Sequence, residues 1–250
     1  MNSLRNFLVC ALAACVLPVV SARAGALQDA EAAYGRGDYA AAARSYETAI
    51  AGAPAPSAGL YYDLGMALMK NGQKPEAALA FRRSLLLDPR DDDARVSLSE
   101  IERSEGIPAV KDTWTDWLQQ KAPLSGLLIA GTVVFWAGAF LLLGAFFRRS
   151  PRGGALAGAV VVILIGVALG AASLVSDPKL SNRKDGVLVA AKGVPLLSAP
   201  ADQSAELAVL PPASCVRILR DSGEWTYCEA VTGEKGWLPS KNLQAVVPKV

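Results

Sequence analysis

The chain has 250 residues, 52% of them apolar, a formal charge of +2 and no histidine. A charge this close to neutral, with no basic stripe, argues against a nucleic-acid partner. Without histidine there are no serine–histidine or cysteine–histidine nucleophile pairs, no histidine metal sites and no histidine proton relays. Carboxylate pairs and lysine bases remain formally open, but no local pattern suggests them. No catalytic residue, metal ligand or cofactor is expected.

Taken in chain order, Arg5 precedes an apolar stretch from Phe7 to Val20. Ser21-Ala22-Arg23-Ala24 then offers a small-x-small cleavage site before Gly25, which predicts a secretory signal peptide over 1–24 cut between Ala24 and Gly25. The rival is a lipoprotein box at Leu12-Ala13-Ala14-Cys15, which would leave Cys15 lipidated. Residues 25–105 follow as alanine-rich helices with an internal echo: Gly37-Asp38-Tyr39-Ala40-Ala41-Ala42-Ala43-Arg44-Ser45-Tyr46 returns as Gly72-Gln73-Lys74-Pro75-Glu76-Ala77-Ala78-Leu79-Ala80-Phe81, and Pro54 returns as Pro89. The second copy, with Tyr61, Leu64-Gly65, Leu68, Ala77, Phe81 and Asp88-Pro89, resembles a tetratricopeptide repeat, whose period is about 34 residues. The first copy is degenerate, and a third start at Asp92 to Ser104 is expected to be a capping helix. The resemblance implies a concave protein-binding groove, on which Tyr62, Met66, Met69 and Lys70 would lie. The alternative is that Met66 and Met69 only pack on the next helix.

Residues 106–122 form an amphipathic juxtamembrane segment in which Trp114 and Trp117 share a helical face, suited to the headgroup zone. Two uncharged apolar runs follow, 123–147 and 153–175, each longer than the roughly 20 residues that cross a bilayer. They are separated only by Arg148-Arg149-Ser150-Pro151-Arg152, so they are expected to be a transmembrane hairpin whose basic turn, 148–152, is cytoplasmic. The signal peptide puts the first flank outside the cytoplasm, and two crossings return the second flank to the same side. With no charge in either run, an anchor is the better reading than an ion pathway.

A linker over 176–185 leads into short β-prone segments in 186–250: Val187 to Ala191, Cys215 to Leu219, a turn at Arg220 to Glu224, Trp225 to Glu229, and Gly236-Trp237-Leu238-Pro239. Leu196-Leu197-Ser198-Ala199-Pro200, Gly223-Glu224-Trp225-Thr226-Tyr227-Cys228 and Lys235-Gly236-Trp237-Leu238-Pro239 resemble a bacterial SH3-type domain, a small all-β barrel. Trp225, Tyr227 and Trp237 would be its ligand face, or Trp225 and Trp237 would only close the barrel. Cys215 and Cys228 are an even pair in an exported domain, open to a disulfide or to two reduced thiols.

The order of signal peptide, tetratricopeptide repeats, two-helix hairpin and SH3-like barrel resembles the BatE-type proteins of bacterial aerotolerance (Bat) systems. That resemblance implies a non-enzymatic scaffold in the bacterial inner membrane, with both flanks periplasmic. Its partners would be other membrane or periplasmic proteins, among them von Willebrand factor A domain Bat proteins. Peptidoglycan binding by the barrel is the alternative.

Overall fold

The computed structural model describes residues 25–108, 124–147, 153–175 and 184–247. The expected signal peptide with Ala24 and Cys15, the Trp114–Trp117 segment, the basic turn and most of the expected linker lie outside them. The described chain forms two compact units. One joins the N-terminal helices to the C-terminal sheet, and the other is the pair of apolar helices.

Five helices open the first unit: α1 (25–35), α2 (Tyr39–Ala51), α3 (Ala58–Lys70), α4 (Lys74–Leu87) and α5 (Asp92–Ser104). Their starts are chemically marked. Asp38 Oδ1 accepts from the Ala41 amide at 3.0 Å, Ser57 Oγ from Leu60 at 3.3 Å, and Asp91 Oδ1 from Ala94 at 3.0 Å. Each satisfies an amide that the first turn would otherwise leave orphaned.

The ends of α1, α3 and α5 share one device. Gly37, Gly72 and Gly106 all have positive φ (79°, 82° and 70°). At each, the glycine amide and the next amide fold back onto the last turn. Gly72 N–H donates to Met69 O at 3.1 Å and Gln73 N–H to Leu68 O at 2.9 Å, and the other two glycines repeat the pattern. A left-handed residue closing two carbonyls in this way is a Schellman cap, which glycine adopts without steric cost. The three glycines are spaced 35 and 34 residues apart, the period of the sequence echo.

Packing follows from residue size. Buried Ala30 and Ala33 bring α1 close to Ala42, Ala43, Tyr46 and Ala49 of α2. In the second pair, Leu64, Leu68 and fully buried Phe81 fill the seam. A Cβ on Gly65 would sit 2.6 Å from the Phe81 ring, so only glycine permits this approach. Buried Ser84 ties α4 to α3 by donating to Ala58 O at 2.9 Å.

The C-terminal part is a seven-stranded antiparallel sheet of β1 (Asp185–Leu188), β2 (Val194–Leu197), β3 (Glu206–Leu210), β4 (Cys215–Ser222), β5 (Trp225–Ala230), β6 (Lys235–Pro239) and β7 (Leu243–Ala245), ordered β3-β2-β6-β5-β4-β1-β7. Leu210 and Leu188, from strands far apart in that order, share one core with Leu196, Val216, Cys228 and Leu238, so the sheet curls around a single centre. Bulges at Leu196/Leu197 and Ile218/Arg220 help it bend. Three sequence expectations change here. The turn expected over Arg220 to Glu224 is only Gly223-Glu224, because β4 runs on to Ser222 and pairs it with Trp225. Strand β1 begins at Asp185, inside the expected linker, and the first β segment ends at Leu188 rather than Ala191.

Helices and sheet touch along the outer face of α4. Leu79 and Leu86 bury against Val187 and Val246. Arg83 donates from Nε to Val246 O at 3.2 Å and from Nη2 to Ala245 O at 3.1 Å. Ala213 is fully buried and packs into the apolar cluster of the helices. Its φ of 64° places it at the third position of the Pro211-Pro212-Ala213-Ser214 turn, closed by Ser214 N–H to Pro211 O at 3.3 Å. Glycine usually takes that position, and a left-handed alanine there costs about 1 kcal/mol.

The second unit is α6 (Leu124–Phe146) and α7 (Gly153–Val175), two apolar helices packed on each other. Within α6, Leu128–Ala145 is long and apolar enough to cross a membrane, while the apolar stretch Leu156–Ala172 of α7 falls just short by the same measure.

Candidate functional site

Helix α3 carries the first candidate surface. Tyr62, Met66 and Met69 are half-buried and Lys70 is exposed. The Tyr62 ring lies 5.8 Å from Phe81, centroid to centroid, and so rests on the seam beneath it. Ser97 Oγ of α5 reaches Met66 Sδ at 3.9 Å, so Met66 touches the first helix of the following repeat as well as solvent. The four residues form one continuous edge, with the thioethers partly available.

Sequence reasoning missed the carboxylates around it. Burial pushes the Tyr62 hydroxyl pKa up, and Asp93, Asp91 and Asp63 add to the shift. Burial likewise raises Asp63, helped by Glu31 of α1. Glu31, Asp63, Asp91 and Asp93 come from three separate segments, and only folding assembles them.

The second candidate surface is on the sheet. Alternation along β5 puts Thr226, Cys228 and Ala230 inward and Trp225 and Tyr227 on the opposite face. Register pairs Tyr227 with Trp237 and Trp225 with Pro239, so the three aromatics named from sequence share one half-buried face. The Tyr227 and Trp237 rings lie 5.1 Å apart and tilted, a favourable aromatic contact. Beside them Lys235 Nζ and Glu229 Oε1 pair at 3.6 Å.

The disulfide alternative is corrected. Cys215 and Cys228 are free thiols. Val216 pairs with Ala230 and Ile218 with Cys228, so Cys228 shares the core face of Val216 while Cys215, one residue earlier, lies on the other face. A bond cannot pass through the sheet. Burial raises the Cys215 thiol, which sits near Arg82, Asp185 and Glu102.

Burial alone pushes the Cys228 thiol from 9.0 to about 12. The folded domain therefore keeps it protonated while an unfolded chain ionises it above about pH 9. Stability is thus unaffected below that pH and falls as pH rises from 9 towards 12. Between pH 8.5 and 10, urea unfolding midpoints should drop more steeply for the natural chain than for Cys228→Ala; parallel slopes would contradict this. Alkylation of Cys228 at pH 9 should likewise be on the order of a hundredfold or more slower than that of an unfolded control.

Among the described residues, no group of cysteines and carboxylates is arranged to hold a metal. A cleft of about 230 Å³ lies beside the Arg83 contact, between Ile50, Leu64, Leu68 and Leu79 and the edge residue Gln244. Glu47, Glu76 and Arg83 line it beside these apolar side chains.

Two helical hairpins, a third start and a left-handed glycine every 34 or 35 residues describe one architecture. Residues 27–94 and 62–109 match the tetratricopeptide repeat family. The two matches overlap and span about a third of the chain. No curated protein matches the chain. The α1–α5 segment is thus similar to tetratricopeptide repeats, which typically bind other proteins and are not catalytic, and the Tyr62 edge lies on it.

Proposed function

We propose that this chain is a non-enzymatic scaffold anchored in a bacterial inner membrane. Its repeats and an SH3-like β domain face the periplasm, and it works as a component of a Bat-type complex. The observation that carries the scaffold reading is the repeat array with its half-buried Tyr62, Met66 and Met69 edge. Met side chains adapt to varied partners, and the carboxylates of three segments border them.

Support for a two-span anchor comes from the contacts within the first unit. Repeats and sheet share buried contacts at Leu79, Leu86, Val187 and Val246, which supports putting them on the same side of a membrane. On that reading the segment between residues 108 and 184 crosses an even number of times. Helices α6 and α7, packed on each other and uncharged, suit that requirement. A periplasm-active reporter fused at Ser150 should be silent and one fused at Val250 active; the reverse pattern overturns the localisation.

Partner binding is tested by crosslinking pull-down of the full chain against Met69→Asp/Lys70→Glu. These positions sit at the edge of the core, so the variant should fold and lose at least about tenfold of partner recovery. Unchanged recovery would remove the groove from the proposal. The shared outward face of Trp225, Tyr227 and Trp237 favours one second reading, a peptidoglycan-binding domain. Co-sedimentation of the full chain with insoluble peptidoglycan, lost in Trp237→Ala, would select it.

A further inference from the structure

We propose that the C-terminal sheet is the structural cap of the repeat array, clasped by Arg83, so that repeats and sheet unfold as one cooperative unit. The inference rests on their contacts and not on the membrane or Bat assignments.

Helix α4 is shared between two interiors. Leu79, Arg83 and Leu86 follow one another at i, i+4 and i+7, a single stripe, and all three engage the sheet. Phe81 lies two residues on from Leu79, on the far side of the helix, where it fills the repeat seam beneath Tyr62. One helix therefore cannot leave the sheet without exposing apolar surface, and cannot leave α3 without emptying the seam. A pair of repeats is near the lower limit for a stable array, since each repeat buries its apolar face only against a neighbour. The sheet supplies that neighbour.

Arg83 suits the role of clasp because its planar fork meets two successive carbonyls, Ala245 and Val246. Lysine has no such fork and would keep the charge without both bonds. Burial lowers the Arg83 pKa, so the guanidinium has given up water for these carbonyls. Ala213 points the same way from the other partner. The sheet holds it in a left-handed turn, a conformation that persists only when its surroundings over-determine it. Its surroundings are the apolar cluster of the helices. The strain is thus located in the sheet and offset by the repeats, which is a reason for neither part to be fully stable alone. A partner seated on the Tyr62 edge would then protect the sheet as well, because ligand stabilisation is distributed over the whole cooperative unit.

The test is hydrogen exchange by mass spectrometry on the full chain in detergent, following the slowest amides of α3–α5 and of β4–β6. Leu238→Ala empties the core of the sheet, away from the α4 contact. The proposal expects exchange to accelerate in both regions by a comparable factor, on the order of a hundredfold. Acceleration confined to the strands, with α3–α5 unchanged, overturns it, even if the variant sheet is wholly unfolded. Arg83→Lys should accelerate both regions about tenfold; an effect limited to the amides next to residue 83 and residues 245–246 would remove Arg83 as the clasp.

Discussion

Phe81→Ala should destabilise the repeats by about 3–5 kcal/mol, the range for emptying a fully buried aromatic site. Phe81 has no solvent exposure, and its ring occupies the space that Gly65 leaves between α3 and α4. Removing it strips the support from Tyr62 and opens a void that the close helix approach cannot collapse, because Leu64 and Leu68 already fill the seam. A domain of this size holds only about 5–15 kcal/mol in total, so the loss takes a large share. Urea unfolding of the full chain in detergent, read by far-UV ellipticity, measures it. A loss below about 1 kcal/mol would mean that the seam is not packed as described. Gly65→Ala provides an independent check, since its methyl would collide with the ring at 2.6 Å. Combined with Phe81→Leu it should cost less than the two single changes together.

Gly166→Val should disrupt the α6–α7 pair at a cost of about 3 kcal/mol, the upper end of ordinary overpacking. A Cβ at 166 would stand 2.6 Å from the Phe135 backbone nitrogen, 2.8 Å from its Cα and 2.9 Å from Gly131 O. Side chains can rotate away from an intruder, but backbone cannot, so the helices must part. Gly144 is the control, because among the described residues no atom outside its own stretch of helix lies within 4 Å of its Cβ position. Gly144→Val should melt in detergent with the natural chain, whereas Gly166→Val should melt well below it. Equal melting of the two would show that the pair is not held by this contact.

Much of the helical part was legible in the sequence because its signals are local. Gly37 and Gly72 recur in the echo at the helix ends they close, and Tyr61, Leu64 and Leu68 follow helical spacing in α3, with Phe81 facing them from α4. The sheet was less legible. Strand β3 lacks the apolar–polar alternation of a half-buried strand, since its apolar Leu207 and Val209 are exposed, and β2 contains Pro195. The turn after β4 was placed too early because Arg220, Asp221 and Ser222 look like turn residues, although the tight Gly223-Glu224 turn lets all three pair with β5. The disulfide question hung on strand register, which two cysteine positions cannot reveal. The contact between repeats and sheet had no sequence signal at all. Arg83 looks like a surface residue on a repeat helix, and its carbonyl partners lie more than 160 positions away.

The three left-handed glycines also define where the array can be lengthened. A segment from Asp38 to Gly72 starts just after one Schellman cap and ends within the next, so a duplicate inserted at Gly37 brings its own helix start and stop. The other end offers no such opening, because α4 is already committed to the sheet and Ile107 is buried in the helical core. Growth of this molecule is therefore polar. Additional binding surface is admitted on the amino-terminal side, while the carboxyl-terminal side stays closed.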